Sequence, residues 1–248
     1  MDLDAELQKS PRIYCTHDLK GNAELTLSQD QVHYLYHVMR REAGNYLRVF
    51  NGRDGEWHAE IKAISKKKCT IYLVKQLHEQ PEQPYEAHLL FPPIKRDRFD
   101  FIIEKATELG VTHLHPVQTE YTNLPKIKPE RIERQIIEAC EQCERLTVPQ
   151  LMPLVSLQDK ILGWDQDMTL YTALERSGSL ELGKVVQAAL AGAQTEFAFL
   201  VGPEGGFSQN EIELFEKQKY IECVSLGDNI LRTETACCVV LSSLVLNF

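Results

Sequence analysis

No stretch of this 248-residue chain is long and apolar enough to span a bilayer. Its start, MDLDAELQKS, has neither a basic leader nor an apolar core of the kind that directs export, so a cytoplasmic protein without membrane attachment is expected. Cysteine is unpatterned. The seven cysteines are an odd number, scattered through apolar patterns, which argues against a disulfide framework and for reduced thiols. Cys140 and Cys143 form a C-x-x-C, but no second pair stands at zinc-ligand spacing, and both share a helical stripe with Ile132 and Ile136. His33 and His37, and His113 and His115, lack a third ligand motif nearby, so no metal is expected. Positive charge is also in deficit. Against 36 Asp and Glu stand 27 Lys and Arg, a net −9, which excludes a strong nonspecific polyanion binder. Residues 1 to 80 are near balance, with 12 basic and 11 acidic, while the remainder holds 15 and 25. Any nucleic-acid contact must therefore use local basic patches.

Two phosphate-loop patterns are missing as well. The glycines at 202, 205 and 206 read G-x-x-G-G, neither G-x-G-x-x-G nor G-x-x-x-x-G-K-[ST], which disfavours a nicotinamide or ATP site. What is present is a stretch from 197 to 236, FAFLVGPEGGFSQNEIELFEKQKYIECVSLGDNILRTETA, in which two apolar runs each feed a specialised loop. Phe197 to Val201 reads as a buried parallel strand, and the glycines after it allow close approach of backbone or ligand. Ser208 with Glu211 forms a capping box that starts a helix carrying Ile212, Leu214 and Phe215. A second strand, Glu222 to Leu226, ends in Gly227 and the loop DNILRTETA before an apolar helix, Ala236 to Leu246. Two strand-loop-helix units thus lie side by side. In open α/β sheets ligands sit beyond the carboxyl ends of strands, so both loops should line one pocket.

Before this stretch the chain changes character once. Arg12 to Leu77 offers short strands (RIYCT, AELTL, YLRVF, EWHAEIKAI, TIYLVKQL) around one helix running from a Ser28 cap to Met39, which suggests a small β-barrel over residues 1–78. HEQPEQPYE then reads as a linker, 79–86 at its core. From residue 87 to 248 strands and helices alternate, as in an α/β domain with a mostly parallel sheet. Its final helix is apolar almost all round, so it should be buried by the core or by a second subunit.

LVGPEGGFS followed by SLGDNILRTETA resembles the C-terminal signature of the RsmE family, uridine-N3 methyltransferases of 16S ribosomal RNA in the SPOUT superfamily. HYLYHVMRREAG, RDRFDFIIEKATELGV, HPVQTE and EACEQCERLTVP are similar to its other motifs, in its order, so the likeness covers nearly the whole chain. The resemblance implies a PUA-like RNA-binding barrel, a C-terminal α/β domain with a deep trefoil knot, and a homodimer. It implies S-adenosylmethionine held by Leu200, Gly202, Pro203, Gly205, Leu226, Gly227, Ile230, Leu231 and Thr235. Arg232 is expected to stabilise the uracil oxygen, and Glu234 to fix Arg232 or accept the N3 proton; surface pairing and helix-dipole roles are the plainer alternatives. Arg12, Arg40, Arg41, Lys95, Arg98, Lys105 and Arg145 are the candidate RNA contacts, although Arg40 and Arg41 also suit a helix end. One departure stands out: Tyr121 follows the TE of HPVQTE, where the family usually carries an arginine. A different RNA target, or a noncatalytic assembly factor on the same fold, remains open at this level.

Overall fold

The computed structural model describes residues 10–122, 126–174 and 179–247; the acidic start, 1–9, lies outside this range. The chain divides into two units, Met1–Glu82 with Cys140–Val148, and Gln83–Ala139 with Pro149–Phe248. The boundary expected at 79–86 recurs near residue 82, but residues 140–148, read from sequence as part of the second domain, belong with the first. Hydrogen bonds explain why. The Tyr14 N–H donates to Glu141 Oε1 at 2.8 Å, Arg12 Nη2 donates to the Arg145 carbonyl at 2.8 Å, and Arg48 pairs with Glu144.

In the first unit, β1 (Arg12–Tyr14), β2 (Glu24–Thr26), β3 (Tyr46–Phe50), β4 (Glu56–Ile64) and β5 (Cys69–His78) form a five-stranded sheet in the order β1-β3-β4-β5-β2. Alternate residues of β3 to β5, among them Leu47, Val49, Ala59, Ile61, Ile71 and Leu73, are fully buried. Each large one contributes about 1.5–3 kcal/mol of burial. Three register shifts along β4 and β5 increase the twist and curl the sheet about this core. Helix α1 (Gln29–His33) opens with the expected Ser28–Gln31 capping box. It was expected to run to Met39; instead it widens into a π-helical turn, Tyr34–Val38, which keeps both Val32 and Leu35 buried. Arg40, at φ +50, ends it.

In the second unit, β6 (Glu86–Phe91), β7 (His113–Gln118), β8 (Gln150–Leu151), β9 (Val155–Ser156), β10 (Leu170–Ala173), β11 (Leu180–Glu181), β12 (Glu196–Val201) and β13 (Ile221–Ser225) pair in parallel throughout. The sheet order is β11-β13-β10-β12-β6-β7-β8, with β9 on β7. Near-continuous apolar strands such as β12, buried from Phe197 to Val201, are what a sheet covered on both faces requires. Helices α2 (Arg96–Glu108), α3 (Pro129–Gln142), α4 (Leu157–Leu162), α5 (Leu182–Ala191), α6 (Gln209–Glu216) and α7 (Thr233–Val245) connect them. Phe99, Ile102, Ile103 and Ala106 bury the stripe of α2 that the sequence predicts. No described helix is long and apolar enough to cross a membrane.

The thiols follow their burial. Desolvation pushes Cys15 and Cys140 up to about 12 and Cys69 to about 11, and drives Cys237 well above its ordinary value, whereas Cys143 is exposed. Brief alkylation of the native protein at about pH 8, read by peptide mass, is expected to label Cys143 long before Cys15, Cys140 or Cys237. Equal rates at Cys140 and Cys143 would contradict the burial of Cys140.

Candidate active site

The carboxyl ends of β10, β12 and β13 converge on a cleft of about 220 Å³. The two strands expected to lie side by side have β10 between them, and Ala173 and Leu174 from its end therefore line the cleft, a contribution the sequence reading missed. Only short-range pattern was available to that reading, and strand order is a long-range property. Val201, Gly202, Pro203, Glu204, Gly206 and Phe207 form one wall; Leu226, Gly227, Asn229, Ile230 and Leu231 form the other, closed by Thr233 and Ala236 of α7.

Each wall has a local cause. Gly206 sits at φ +71 and its N–H donates to the Pro203 carbonyl at 2.8 Å, which turns the chain back towards the sheet. A Cβ at Gly202 would stand 3.0 Å from the Phe207 ring, tighter than ordinary contact, so the ring would have to give by a few tenths of an ångström. Gly205, by contrast, meets only the side chain of Tyr121 at ordinary distance, so its place is on the outer side of the loop. The α6 capping box forms as predicted, with Glu211 Oε2 accepting from the Ser208 N–H at 2.8 Å. Glu211 Oε1 also accepts from the Glu120 N–H at 2.9 Å, which ties the end of β7 to the glycine loop's helix. Thr233 Oγ1 donates to the Gly202 carbonyl at 2.9 Å and so clamps one wall to the other.

The expected residues fall into three groups. Gly202, Pro203, Leu226, Gly227, Ile230 and Leu231 do line the cleft. Ile230 is 99% exposed. Leu200 is fully buried inside β12, and Thr235 lines a different groove of about 550 Å³ on the far side of α7, with Leu182, Val239 and Leu246. Arg232 and Glu234 are not in a loop: α7 begins three residues earlier than expected, with Arg232 as N-cap and Glu234 in its first turn. Arg232 is exposed, and its side chain has no ion-pair or hydrogen-bond partner among the described residues. Glu234 pairs with Arg98, not Arg232: Arg98 Nε lies 3.5 Å from Glu234 Oε1, and Arg98 Nη1 donates to Glu204 at 2.8 Å. Glu234 Oε2 is buried without a partner.

Several candidate RNA contacts have their charge committed internally. The Arg12 side chain is 3% exposed, bonded to Glu56 at 2.6 Å, and stacked over the Phe50 ring at 3.7 Å, so it is a core residue of the first unit rather than a phosphate ligand. Lys105 is shared between Glu104 and Glu108, which raise its pKa through hydrogen bonds. Arg145 Nε donates to Thr147 Oγ1 at 2.7 Å. Arg41 is half-buried, while Arg40 and Lys95 are exposed.

With this geometry in place the comparisons are decisive. Residues 81–245 match the model of an RNA methyltransferase domain, and residues 27–73 that of an RNA methyltransferase PUA domain. A ribosomal RNA small subunit methyltransferase E from Rickettsia conorii is 35% identical over 229 residues, covering 92% of each chain. The chain belongs to the ribosomal RNA small subunit methyltransferase E family. A family member from Neisseria gonorrhoeae, solved with S-adenosylmethionine, superposes with a TM-score of 0.83 at 26% identity, covering 95% of this chain and 96% of that one. A methyltransferase structure from Legionella pneumophila, also with bound cofactor, reaches 0.84 at 31% identity, covering 95% and 97%. The first unit accordingly carries this family's PUA domain, and the cleft lies in its methyltransferase domain.

Proposed function

We propose that this chain methylates N3 of a uridine in 16S ribosomal RNA, with S-adenosylmethionine as donor. The observation that carries the proposal is the cleft itself, whose walls are two strand-end loops clamped by Thr233, with the exposed Arg232 lying in sequence between its lining residues Leu231 and Thr233. The residues suit the donor. Leu226, Ile230 and Leu231 offer apolar surface to an adenine, Gly202 leaves no side chain in the way, and Gly227, at φ +110, takes a backbone conformation that side chains rarely permit. When bound, the donor supplies an electrophilic methyl group.

The protein's own task is to hold the uracil in line and remove its N3 proton. Orientation accounts for much of such catalysis. In this reading Arg232 donates hydrogen bonds to the uracil oxygen on which negative charge develops. Glu234, with Oε1 held by Arg98 and Oε2 unpartnered, is the proton acceptor in this reading, and Arg98 positions it. Exposed Arg40 and Lys95 are the basic groups left for RNA phosphates. The trefoil knot is part of the same proposal, as is a homodimer. In support of the latter, α7 presents Val245 and Leu246, 45% and 84% exposed, beside the apolar groove of Leu182 and Val239.

Thr233→Val should test the clamp. Losing one hydrogen bond of about 1 kcal/mol is expected to weaken S-adenosylmethionine binding roughly five-fold by titration calorimetry; unchanged affinity would mean the walls keep their spacing without it. For the activity, labelled S-adenosylmethionine and small ribosomal subunits from a strain lacking the endogenous modification are incubated with the protein, and the nucleoside is mapped. Label in 3-methyluridine is the expected result. Donor binding without that product would reopen the RNA target, and absence of donor binding would favour a noncatalytic assembly factor.

A further inference from the structure

At the opposite end of the sheet from the cleft, where β6 and β7 begin, Glu86, His88 and His113 come together, and one ligand atom from each lies within 4.8 Å of the others. Parallel pairing produces this. His88 is in register with His113 on the neighbouring strand, and Glu86 precedes it by two residues, so all three side chains share one face. The sequence argument against a metal rested on a missing third ligand beside His113 and His115; β6, twenty-odd residues earlier in the chain, supplies two.

Each ring can leave one nitrogen available. Thr112 Oγ1 contacts the Ala87 carbonyl at 3.0 Å, the Ala87 N–H at 2.9 Å and His113 Nδ1 at 2.9 Å. With the Thr112 proton on the Ala87 carbonyl, His113 carries its own on Nδ1 and presents Nε2 as a lone pair. His88 Nδ1 meets His115 Nε2 at 3.0 Å, and with the proton on His88 that bond leaves His88 Nε2 as a lone pair too. That Nε2 is buried, has no hydrogen-bond partner, and lies 3.5 Å from Glu86 Oε2. A lone pair facing a carboxylate at this distance accommodates a cation in the place that a shared proton otherwise holds.

We propose that Glu86, His88 and His113 form a divalent transition-metal site, with His115 and Thr112 as the groups that orient the two imidazoles. Two imidazoles and one carboxylate with an open position suit Zn²⁺ and its neighbours in the first row. Ligands about 2.1 Å from a tetrahedral ion stand about 3.4 Å apart, close to the 3.5 Å already separating His88 from Glu86. The three ligand atoms lie within 4.8 Å of one another, and rotation of the exposed Glu86 carboxylate brings them nearer to that separation. The contacts of His88 Nδ1 with His115 Nε2 and of His113 Nδ1 with Thr112 Oγ1 hold the two rings by the nitrogen that faces away from the site. Lys160, whose Nζ lies 4.9 Å from the centre of the Trp164 ring, covers the same face, and its charge reaches both His88 and His115. It opposes a cation and so sets the site's affinity below what the ligands alone would give. The site is independent of methyl transfer, since none of its residues lines the cleft.

Untagged protein freed of metal with chelator, then titrated with Co²⁺ under visible absorption and equilibrium dialysis, tests this. One Co²⁺ per chain, displaced by Zn²⁺ and showing no thiolate charge-transfer band, is expected. Glu86→Gln, His88→Ala and His113→Ala should each weaken it at least tenfold, and Lys160→Met should tighten it. Glu86 is exposed, so Glu86→Gln keeps the test valid if a histidine variant fails to fold. Absence of saturation at millimolar Co²⁺, a thiolate band, or affinity unchanged in Glu86→Gln with native circular dichroism would overturn the site.

Discussion

Arg232→Ala is expected to lower kcat by about two to three orders of magnitude while leaving S-adenosylmethionine affinity within about two-fold of the parent. The size follows from the role: a donor aimed at charge that appears only in the transition state contributes little to ground-state binding and much to the rate. The structure makes the experiment clean. Arg232 is exposed and unpartnered, and as N-cap of α7 it contributes no side-chain cap, so its removal costs the fold almost nothing. Arg232→Lys should recover only part of the loss, because an ammonium cannot present the planar pair of N–H groups. Glu234→Gln provides the contrast. Its effect should shrink as pH rises, if hydroxide replaces the missing proton acceptor, whereas the Arg232→Ala defect should persist. Normal turnover in Arg232→Ala would assign the arginine to the surface and leave Glu234 with Arg98 as the whole polar apparatus of the site.

Glu56→Ala should destabilise the first unit by about 3–5 kcal/mol, a large part of the stability of a domain this size. Glu56 is 3% exposed and faces three basic groups: Arg12 at 2.6 Å, Arg48 at 3.9 Å and His78 at 3.8 Å. Removing the carboxylate leaves the Arg12 guanidinium 3% exposed with its charge uncompensated. The opposite outcome is expected when both partners go. Glu56→Leu with Arg12→Met should fall much closer to the parent, since apolar replacement of a buried ion pair is often neutral. Equilibrium urea unfolding of the four proteins gives the coupling directly. If Glu56→Ala costs less than about 1 kcal/mol, the pair is solvated in solution and the reading of Arg12 as a core residue fails.

Arg12 also marks the limit of what was legible in the sequence. Strands β3 to β7, both capping boxes and the glycine loop were readable because each is decided by neighbours within a few residues: alternation, a cap three positions away, a glycine at a turn. Arg12 was misassigned because its partners stand 44 and more than a hundred residues away, and nothing local distinguishes a basic residue that seeks RNA from one that seeks Glu56 and two carbonyls. The same holds for Arg98, whose partners are Glu204 and Glu234. Residues 140–148 begin within the last turn of α3, yet their hydrogen bonds belong to the first unit. The donor loops were legible as a pair, but β10 between them was not, since strand order carries no local signal. The π-helical turn after His33 had none either.

The bond between Thr233 and the Gly202 carbonyl bears on synthesis. One wall of the cleft, and the hydroxyl that clamps it, are made more than a hundred residues after β6 and α2, against which α7 rests. A growing chain can assemble its first unit and most of the sheet, yet it has no complete donor pocket until Thr233 arrives. Synthesis that stops before that point is expected to leave a product unable to hold the donor.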